Sequence, residues 1–159
     1  MKKNLKELQN IMGYNFKNQN LLELSLTHKS YDNFNNNEKL EFLGDRVLGL
    51  IISKKLLEIY PSEKEGIIDK KFANLVNKKT CSIIAKKMNI NKFMLLGPSH
   101  KSLQRSADKI LSDSLEALIG AIYLDSNIKS VEEFILKFWK KYLDESSVTL
   151  IDSKTLQQE

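Results

Sequence analysis

A chain of 159 residues, 42% of them hydrophobic and 28% charged, has room for one globular domain with a sizeable core but not for two full domains. Its N-terminus lacks the apolar stretch of a secretory signal, and its longest apolar run, residues 47–52, is too short to cross a bilayer, so we expect a cytoplasmic protein without a membrane partner. The net charge of +5 predicts attraction to polyanions, and lysine, which supplies nearly all of the positive charge, favours contacts with phosphates over reading of specific bases.

The spacing of apolar residues predicts helices, because no stretch alternates long enough to form a strand. In the first half of the chain, the predicted helices cover residues 5–12, 21–26 and 38–60. Gly13 ends the first of them, and Pro61 follows the third. The third helix begins after an asparagine-rich loop, and we expect the side-chain oxygen of Asn37 to cap its first turn.

In the second half, helices are predicted over residues 62–76, 78–88, 108–124 and 130–143. Capping-box patterns starting at Ser62 and Ser130 indicate where the first and last of these begin. Residues 108–124 are apolar around most of the helix, which predicts a position at the centre of the core. Cys81 has no second cysteine to pair with, so we expect a small core residue without a redox role.

Three carboxylates share one stripe of the long helix predicted from residue 38. Glu38, Glu41 and Asp45 fall within roughly 60° of one another at about 100° per residue. Apolar residues flank this stripe, and like charges that lie close together among apolar neighbours are costly unless something compensates them. A divalent cation would do so.

A second pair of carboxylates, Asp113 and Glu116, lies three residues apart on the apolar helix 108–124. Two helices with inward carboxylates can build an all-oxygen site, which selects Mg²⁺ or Mn²⁺ over zinc. Gly44 and Gly120 would let the two backbones come close, although either could belong to ordinary packing. The alternative is that both clusters lie on solvated helix faces; their apolar surroundings favour the metal site.

These segments resemble a known family. Residues 38–45, EKLEFLGD, closely resemble the signature of ribonuclease III, and residues 111–121, LSDSLEALIGA, resemble its second conserved block. Supporting matches are residues 27–30, Pro61 with Glu65 and Gly66, residues 75–77 and residues 123–125. The resemblance covers residues 1 to about 146 and implies an all-α endonuclease domain that forms a helical homodimer.

The resemblance also implies an activity: Mg²⁺-dependent hydrolysis of double-stranded RNA, with Mn²⁺ as a substitute, leaving 5′-phosphate and 3′-hydroxyl ends. This would serve the processing of rRNA and mRNA precursors. The implied metal ligands and catalytic acids are Glu41, Asp45, Asp113 and Glu116. Glu38 and Glu65 are implied to assist catalysis from just outside the ligand set.

Two further residues match positions of the family. Phe42 resembles an aromatic residue that inserts into the partner subunit, and the alternative is a core position within its own chain. His28 is expected to be a hydrogen-bonded structural histidine rather than a catalyst. The chain departs from the family at residues 69–71, DKK, and in the loop 99–105, which lacks the usual glycines, so the contacts with substrate stay open.

Residues 1–146 are predicted to form the catalytic domain, and residues 147–159 resemble the linker that leads to a double-stranded-RNA-binding domain. Two other functions compete with the nuclease. A non-catalytic duplex-RNA-binding or ribosome-associated module of the same fold would be expected to have lost a central carboxylate, whereas this chain retains them all. An unrelated helical metallohydrolase acting on nucleotides would usually need histidines, and only His28 and His100 are available.

Overall fold

The computed structural model describes residues 4–100 and 107–158, and within these ranges it describes side chains up to residue 147. The described chain is helical, which confirms the predicted all-α class. Its elements are α1 (Leu5–Met12), α2 (Gln19–Ser25), α3 (Glu38–Ile59), α4 (Glu65–Val76), α5 (Lys78–Lys87), α6 (Ile90–Phe93), a 3₁₀ turn (Pro98–His100), α7 (Ala107–Asp125) and α8 (Ile128–Gln158). A parallel β-bridge joins Thr27 to Leu95.

Helix α7 forms the centre of the core, as its apolar circumference predicted. It packs against α3 on one side and α5 on another, with smaller contacts to α2 and α8. Its residues from Ile110 to Ile122 are buried except at Asp113 and Glu116, which are partly exposed. Cys81 on α5 is fully buried as expected, and burial raises the pKa of its thiol to about 12, so it stays protonated and unreactive.

Two glycines set the distance between α3 and α7. A Cβ atom added to Gly44 would lie 1.6 Å from the carbonyl oxygen of Glu116, and one added to Gly120 would lie 2.3 Å from the carbonyl oxygen of Leu40. No side chain larger than hydrogen fits either position. The close helix crossing predicted from the two glycines is confirmed.

The carboxyl end of α7 is tied to the loop after α1. The Asp125 carboxylate accepts hydrogen bonds from the Tyr14 hydroxyl (2.6 Å) and from the backbone N–H groups of Lys17 and Asn18 (2.9 Å each). Although burial opposes its charge, these donors hold the pKa of Asp125 below its ordinary value. Gly13, with φ of 73°, ends α1 in the left-handed conformation, as predicted.

The three predicted N-terminal caps are wrong. Asn37 is buried and donates its amide to the carbonyl of Ser25, so the Asn36 oxygen accepts the N–H of Glu38 instead. At Ser62, the chain first forms a turn in which the N–H of residue 63 donates to the Tyr60 carbonyl, and α4 begins only at residue 65.

At the start of α8, the cap lies three residues before the predicted one. The side chain of Asn127 accepts the N–H of Ser130 at 2.9 Å, and Ser130 is already inside the helix. Both residues can cap a helix, and Asn127 precedes the helical backbone. The helix therefore begins at Ile128.

Helix α8 continues beyond its predicted end at residue 143. It contains no glycine or proline to stop it. The Trp139 indole N–H donates to the Leu75 carbonyl at 2.8 Å, and the hydroxyls of Tyr60 and Ser146 are 2.6 Å apart. The buried Lys71 ammonium donates to the Ser146 carbonyl. None of the described helices has the length and apolarity needed to span a membrane.

Candidate metal centre

The crossing of α3 and α7 brings four of the predicted carboxylates together. Glu41 and Asp45 lie one turn apart on α3, and Asp113 and Glu116 lie about one turn apart on α7. Asp113 on α7 lies close enough to Glu41 on α3, and Asp45 close enough to Glu116, to raise the pKa of the neighbouring glutamate. Each of these contacts joins one helix to the other, so the four residues predicted as metal ligands form two cross-helix pairs beside the glycine contact.

The two glutamates of this cluster hold their protons unusually tightly. Burial raises the pKa of Glu116 to about 9, and the hydrogen bond and negative charge of Asp45 act in the same direction. Burial likewise raises the pKa of Glu41 to about 7, with further contributions from the charge and hydrogen bond of Asp113. At neutral pH, Glu116 is therefore mostly protonated, and Glu41 is more protonated than an exposed glutamate would be. Full ionisation of the cluster would need a compensating cation.

Glu38 also belongs to the site. It lines a pocket of about 250 Å³ together with Glu41 and Asp113, and its charge contributes to the raised pKa of Glu41. Its carboxylate is exposed, whereas Glu41 and Asp113 are partly buried. Glu38 therefore lies beside the cluster, and its catalytic role remains a prediction.

Glu65 does not reach the cluster within one chain. It is the exposed first residue of α4, which begins beyond the carboxyl end of α3. From Asp45 to that end, α3 runs for roughly 20 Å at about 1.5 Å per residue. In the described part of the chain, Glu65 shares no hydrogen bond or ion pair with the other five carboxylates. Its catalytic role remains a prediction.

The donor set of the cluster suits a hard divalent cation, since carboxylate oxygens are the ligands that Mg²⁺ and Mn²⁺ prefer. The side chains would have to rotate to bind one. Within the described residues, no three Asp, Glu, His or Cys side chains are arranged as they stand to hold a metal ion.

Two basic side chains flank the cluster. The Lys109 ammonium lies 2.6 Å from Oδ2 of Asp113 and lines the same pocket as Glu41. The Arg46 guanidinium lies 3.5 Å from Asp45. Sequence analysis missed Lys109, although it lies four residues before Asp113, a spacing that predicts an ion pair on a helix.

His28 is hydrogen-bonded, as predicted, and it also lies at the pocket. Its Nδ1 accepts the backbone N–H of Ser30, and the Ser30 hydroxyl is 2.7 Å away. Burial lowers the pKa of His28, and the charge of His100, whose ring centroid is 5.1 Å from that of His28, adds to this effect. His100 was not predicted, because only tertiary structure brings residues 28 and 100 together.

Phe42 is not a core residue of its own chain. Its side chain is 61% exposed, and the Arg46 guanidinium lies over its ring, 3.6 Å from the centroid. Leu50 and Leu57 are similarly exposed, and at about 100° per residue they lie within roughly 80° of Phe42 around α3. One side of α3 therefore presents an apolar stripe to its surroundings, which we call the α3 stripe (Phe42, Leu50 and Leu57).

Comparisons with known proteins identify the family of this chain. A family model described as ribonuclease-III-like matches residues 18–143. Ribonuclease 3 of Pelagibacter ubique is 56% identical over 100% of this chain and 72% of that protein, and ribonuclease 3 of Shewanella denitrificans is 41% identical over 99% and 70%.

Solved structures agree as well. The nuclease domain of ribonuclease III from Campylobacter jejuni superimposes with a TM-score of 0.83 at 37% identity, covering 87% of this chain and 98% of that one. Dicer from Pichia stipitis, at 24% identity and a TM-score of 0.66 over 83% of this chain and 59% of that one, shares the fold. The family match covers most of the chain, and the two relatives align with nearly all of it. The chain therefore belongs to the ribonuclease III family of hydrolytic nucleases.

Proposed function

We propose that this nuclease hydrolyses double-stranded RNA in a Mg²⁺-dependent reaction that leaves 5′-phosphate and 3′-hydroxyl ends, and that it acts in the cytoplasm on precursors of rRNA and mRNA. The observation that carries the proposal is the pairing of Glu41 with Asp113 and of Asp45 with Glu116 where α3 crosses α7. Glu41, Asp113 and Glu116 are partly buried, whereas the Asp45 side chain is 60% exposed. A divalent cation would favour the charged forms of Glu41 and Glu116, whose pKa values burial raises.

In this proposal the same four carboxylates hold the ion, which can be Mg²⁺ or Mn²⁺. The bound ion would activate a water molecule for attack on the phosphodiester and stabilise the leaving 3′ oxygen. Because its pKa is raised to about 9, the Glu116 carboxyl holds a proton at neutral pH, and this proton must leave before both of its oxygens can bind the ion. Ion binding should therefore release protons and weaken in acid. The close contact of the two helices keeps the paired carboxylates at a constant separation.

The charge of the protein and the residues that line the pocket support double-stranded RNA as the substrate. Lys29 lines the pocket beside Glu38 and Glu41, so a positive charge is available next to the carboxylates for the RNA backbone. The net charge of +5 favours any polyanion. Lysine contacts read phosphates rather than bases, which suits a duplex recognised by its shape.

We further propose that the protein acts as a homodimer joined through the α3 stripe. Exposed apolar residues on one side of a helix are typical of an interface, and Phe42 directly follows Glu41 on α3. The Campylobacter jejuni nuclease domain is described as having a region involved in dimer formation. A dimer formed through Phe42 would place the partner subunit close to the carboxylates.

The test is cleavage of a perfect RNA duplex with and without Mg²⁺. Glu116→Gln and Asp45→Asn should each reduce the rate more than about a hundredfold, because the loss of outer partners of a metal site alone costs ten- to a hundredfold. Glu58→Gln, an exposed control on the same helix α3, should cleave like the wild type.

Other outcomes would contradict the proposal. Cleavage that survives both substitutions would refute the assignment of the carboxylates. Duplex binding without cleavage in either Mg²⁺ or Mn²⁺ would indicate a non-catalytic module of the same fold. Release of phosphate from a nucleotide, with the duplex left intact, would indicate a phosphohydrolase.

A further inference from the structure

One lysine, Lys109, lies next to the carboxylate cluster. Lys109 belongs to the first turn of α7 and places its Nζ 2.6 Å from Oδ2 of Asp113. The hydrogen bond and charge of Asp113 raise the pKa of Lys109, and the charges of Glu41 and Glu116 add to this effect. Lys109 thus interacts with carboxylates of both helices.

Helix electrostatics do not explain a lysine at this position. The first turn of an α-helix carries partial positive charge, which disfavours a cation there. A lysine that precedes its acidic partner by four residues is also the less favourable order for a helical ion pair. The carboxylates around Lys109, rather than the helix that carries it, account for its place.

The aspartate of the Lys109–Asp113 pair is less exposed to solvent than that of a surface ion pair with the same sequence spacing. Lys140 and Asp144 on α8 are likewise four residues apart, with a distance of 3.0 Å. The Asp144 side chain is 65% exposed, whereas that of Asp113 is 21% exposed. Solvent screens the α8 pair more strongly, so the charge of Lys109 acts more strongly on its surroundings.

We propose that Lys109 is a built-in counter-ion that competes with a divalent cation for Asp113. When no ion is bound, its ammonium offsets part of the negative charge of the cluster and stabilises the folded protein. A cation that takes Asp113 as a ligand must displace this ammonium or bind beside it, and both routes weaken the binding of the cation. Lys109 is thus a positioning residue that sets the metal affinity, an inference that rests on the proposed metal-dependent function.

The test is the binding of Mn²⁺ to the full chain without RNA, measured by electron paramagnetic resonance of the free ion. Lys109→Gln should bind Mn²⁺ about fivefold more tightly than the wild type, as expected for the loss of one partly exposed charge. Lys109→Arg keeps the charge and should bind Mn²⁺ like the wild type. Lys140→Gln, the matched control that removes an ion pair of the same spacing, should also leave the affinity unchanged.

Thermal unfolding supplies a second measurement. In EDTA, Lys109→Gln should unfold roughly 2 °C below the wild type, and saturating Mn²⁺ should close or reverse this difference. Unchanged or weaker Mn²⁺ binding by Lys109→Gln would overturn the inference, as would an equal gain in Lys140→Gln. If the wild type binds Mn²⁺ and cleaves RNA, such a result refutes only the role of Lys109, and the proposed function stands. If the wild type binds no Mn²⁺, the proposed function fails, and this inference fails with it.

Discussion

Glu116 shows how strongly the environment of a single side chain controls its charge. Its carboxyl has an ordinary pKa of 4.5, and burial next to Asp45 raises that value to about 9. Glu41 shifts in the same direction, to about 7. Between the ordinary and the raised values, the folded protein binds more protons than the unfolded chain does. The contribution of these two carboxyl groups to stability without metal should therefore fall as the pH rises from about 4.5 towards 9.

The proton held by Glu116 should affect how the melting temperature in EDTA depends on pH. Glu116→Gln removes the larger of the two contributions, so its melting temperature should decline less steeply between about pH 5 and pH 9 than that of the wild type. Melting followed by circular dichroism at several pH values checks this. The control Glu58→Gln should keep the wild-type slope, because its carboxylate is exposed on the surface of α3. Parallel slopes for Glu116→Gln and the wild type would show that Glu116 does not hold its proton in the folded state.

At the level of elements, the crossing of α3 and α7 decides whether the carboxylates can meet. Gly44 is pressed against the backbone of α7, whereas Gly49, further along the same helix, has only the Phe72 ring at 3.5 Å in its way. The two positions therefore differ in what they tolerate. An alanine at Gly44 must push the helices apart, and an alanine at Gly49 meets an ordinary van der Waals contact.

We expect Gly44→Ala to destabilise the protein by about 3 kcal/mol or more, since overpacking against a backbone cannot be relieved by a side-chain rotation. RNA cleavage should fall as well, because Glu41 and Asp45 would move away from α7. Gly49→Ala should be neutral or stabilising by up to about 1 kcal/mol, through helix propensity. Urea unfolding of both variants gives the comparison. Equal stability of the two variants would mean that the helices are not in backbone contact at Gly44.

The ends of the helices were the least predictable part of the elements. The periodic interiors of α3, α5 and α7 agree with the predictions, but the cap expected at Asn37 failed because burial turned its amide towards Ser25. Caps depend on which polar side chain remains available after packing, and the sequence does not contain that information. The short helix α6 was missed for a similar reason, since it is a single turn enclosed by neighbouring elements.

At the level of the whole molecule, the α3 stripe is the surface through which we expect two copies of the chain to associate. Phe42→Ala should weaken self-association about tenfold or more, because exposed aromatic residues commonly dominate interfaces. Sedimentation equilibrium measures this effect, and circular dichroism should show an unchanged fold, since the ring is exposed in the single chain. Phe34→Ala is the matched control: its ring is 90% exposed in the loop before α3, and its loss should leave association unchanged. A Phe42→Ala protein that associates like the wild type would exclude the α3 stripe as the dimer contact.

The sequence by itself determined the helical class, the central position of α7 and the four carboxylates of the cluster, because each depends on spacing along a single helix. It also indicated the glycines at which two helices could meet. Only the tertiary structure decided that Asp45 raises the pKa of Glu116, that Lys109 contacts the cluster, that His100 lies beside His28 and that Glu65 lies far from the site in its own chain. The physical reason is that charge, burial and reach depend on distances between residues far apart in the chain, and those distances exist only once the helices have packed.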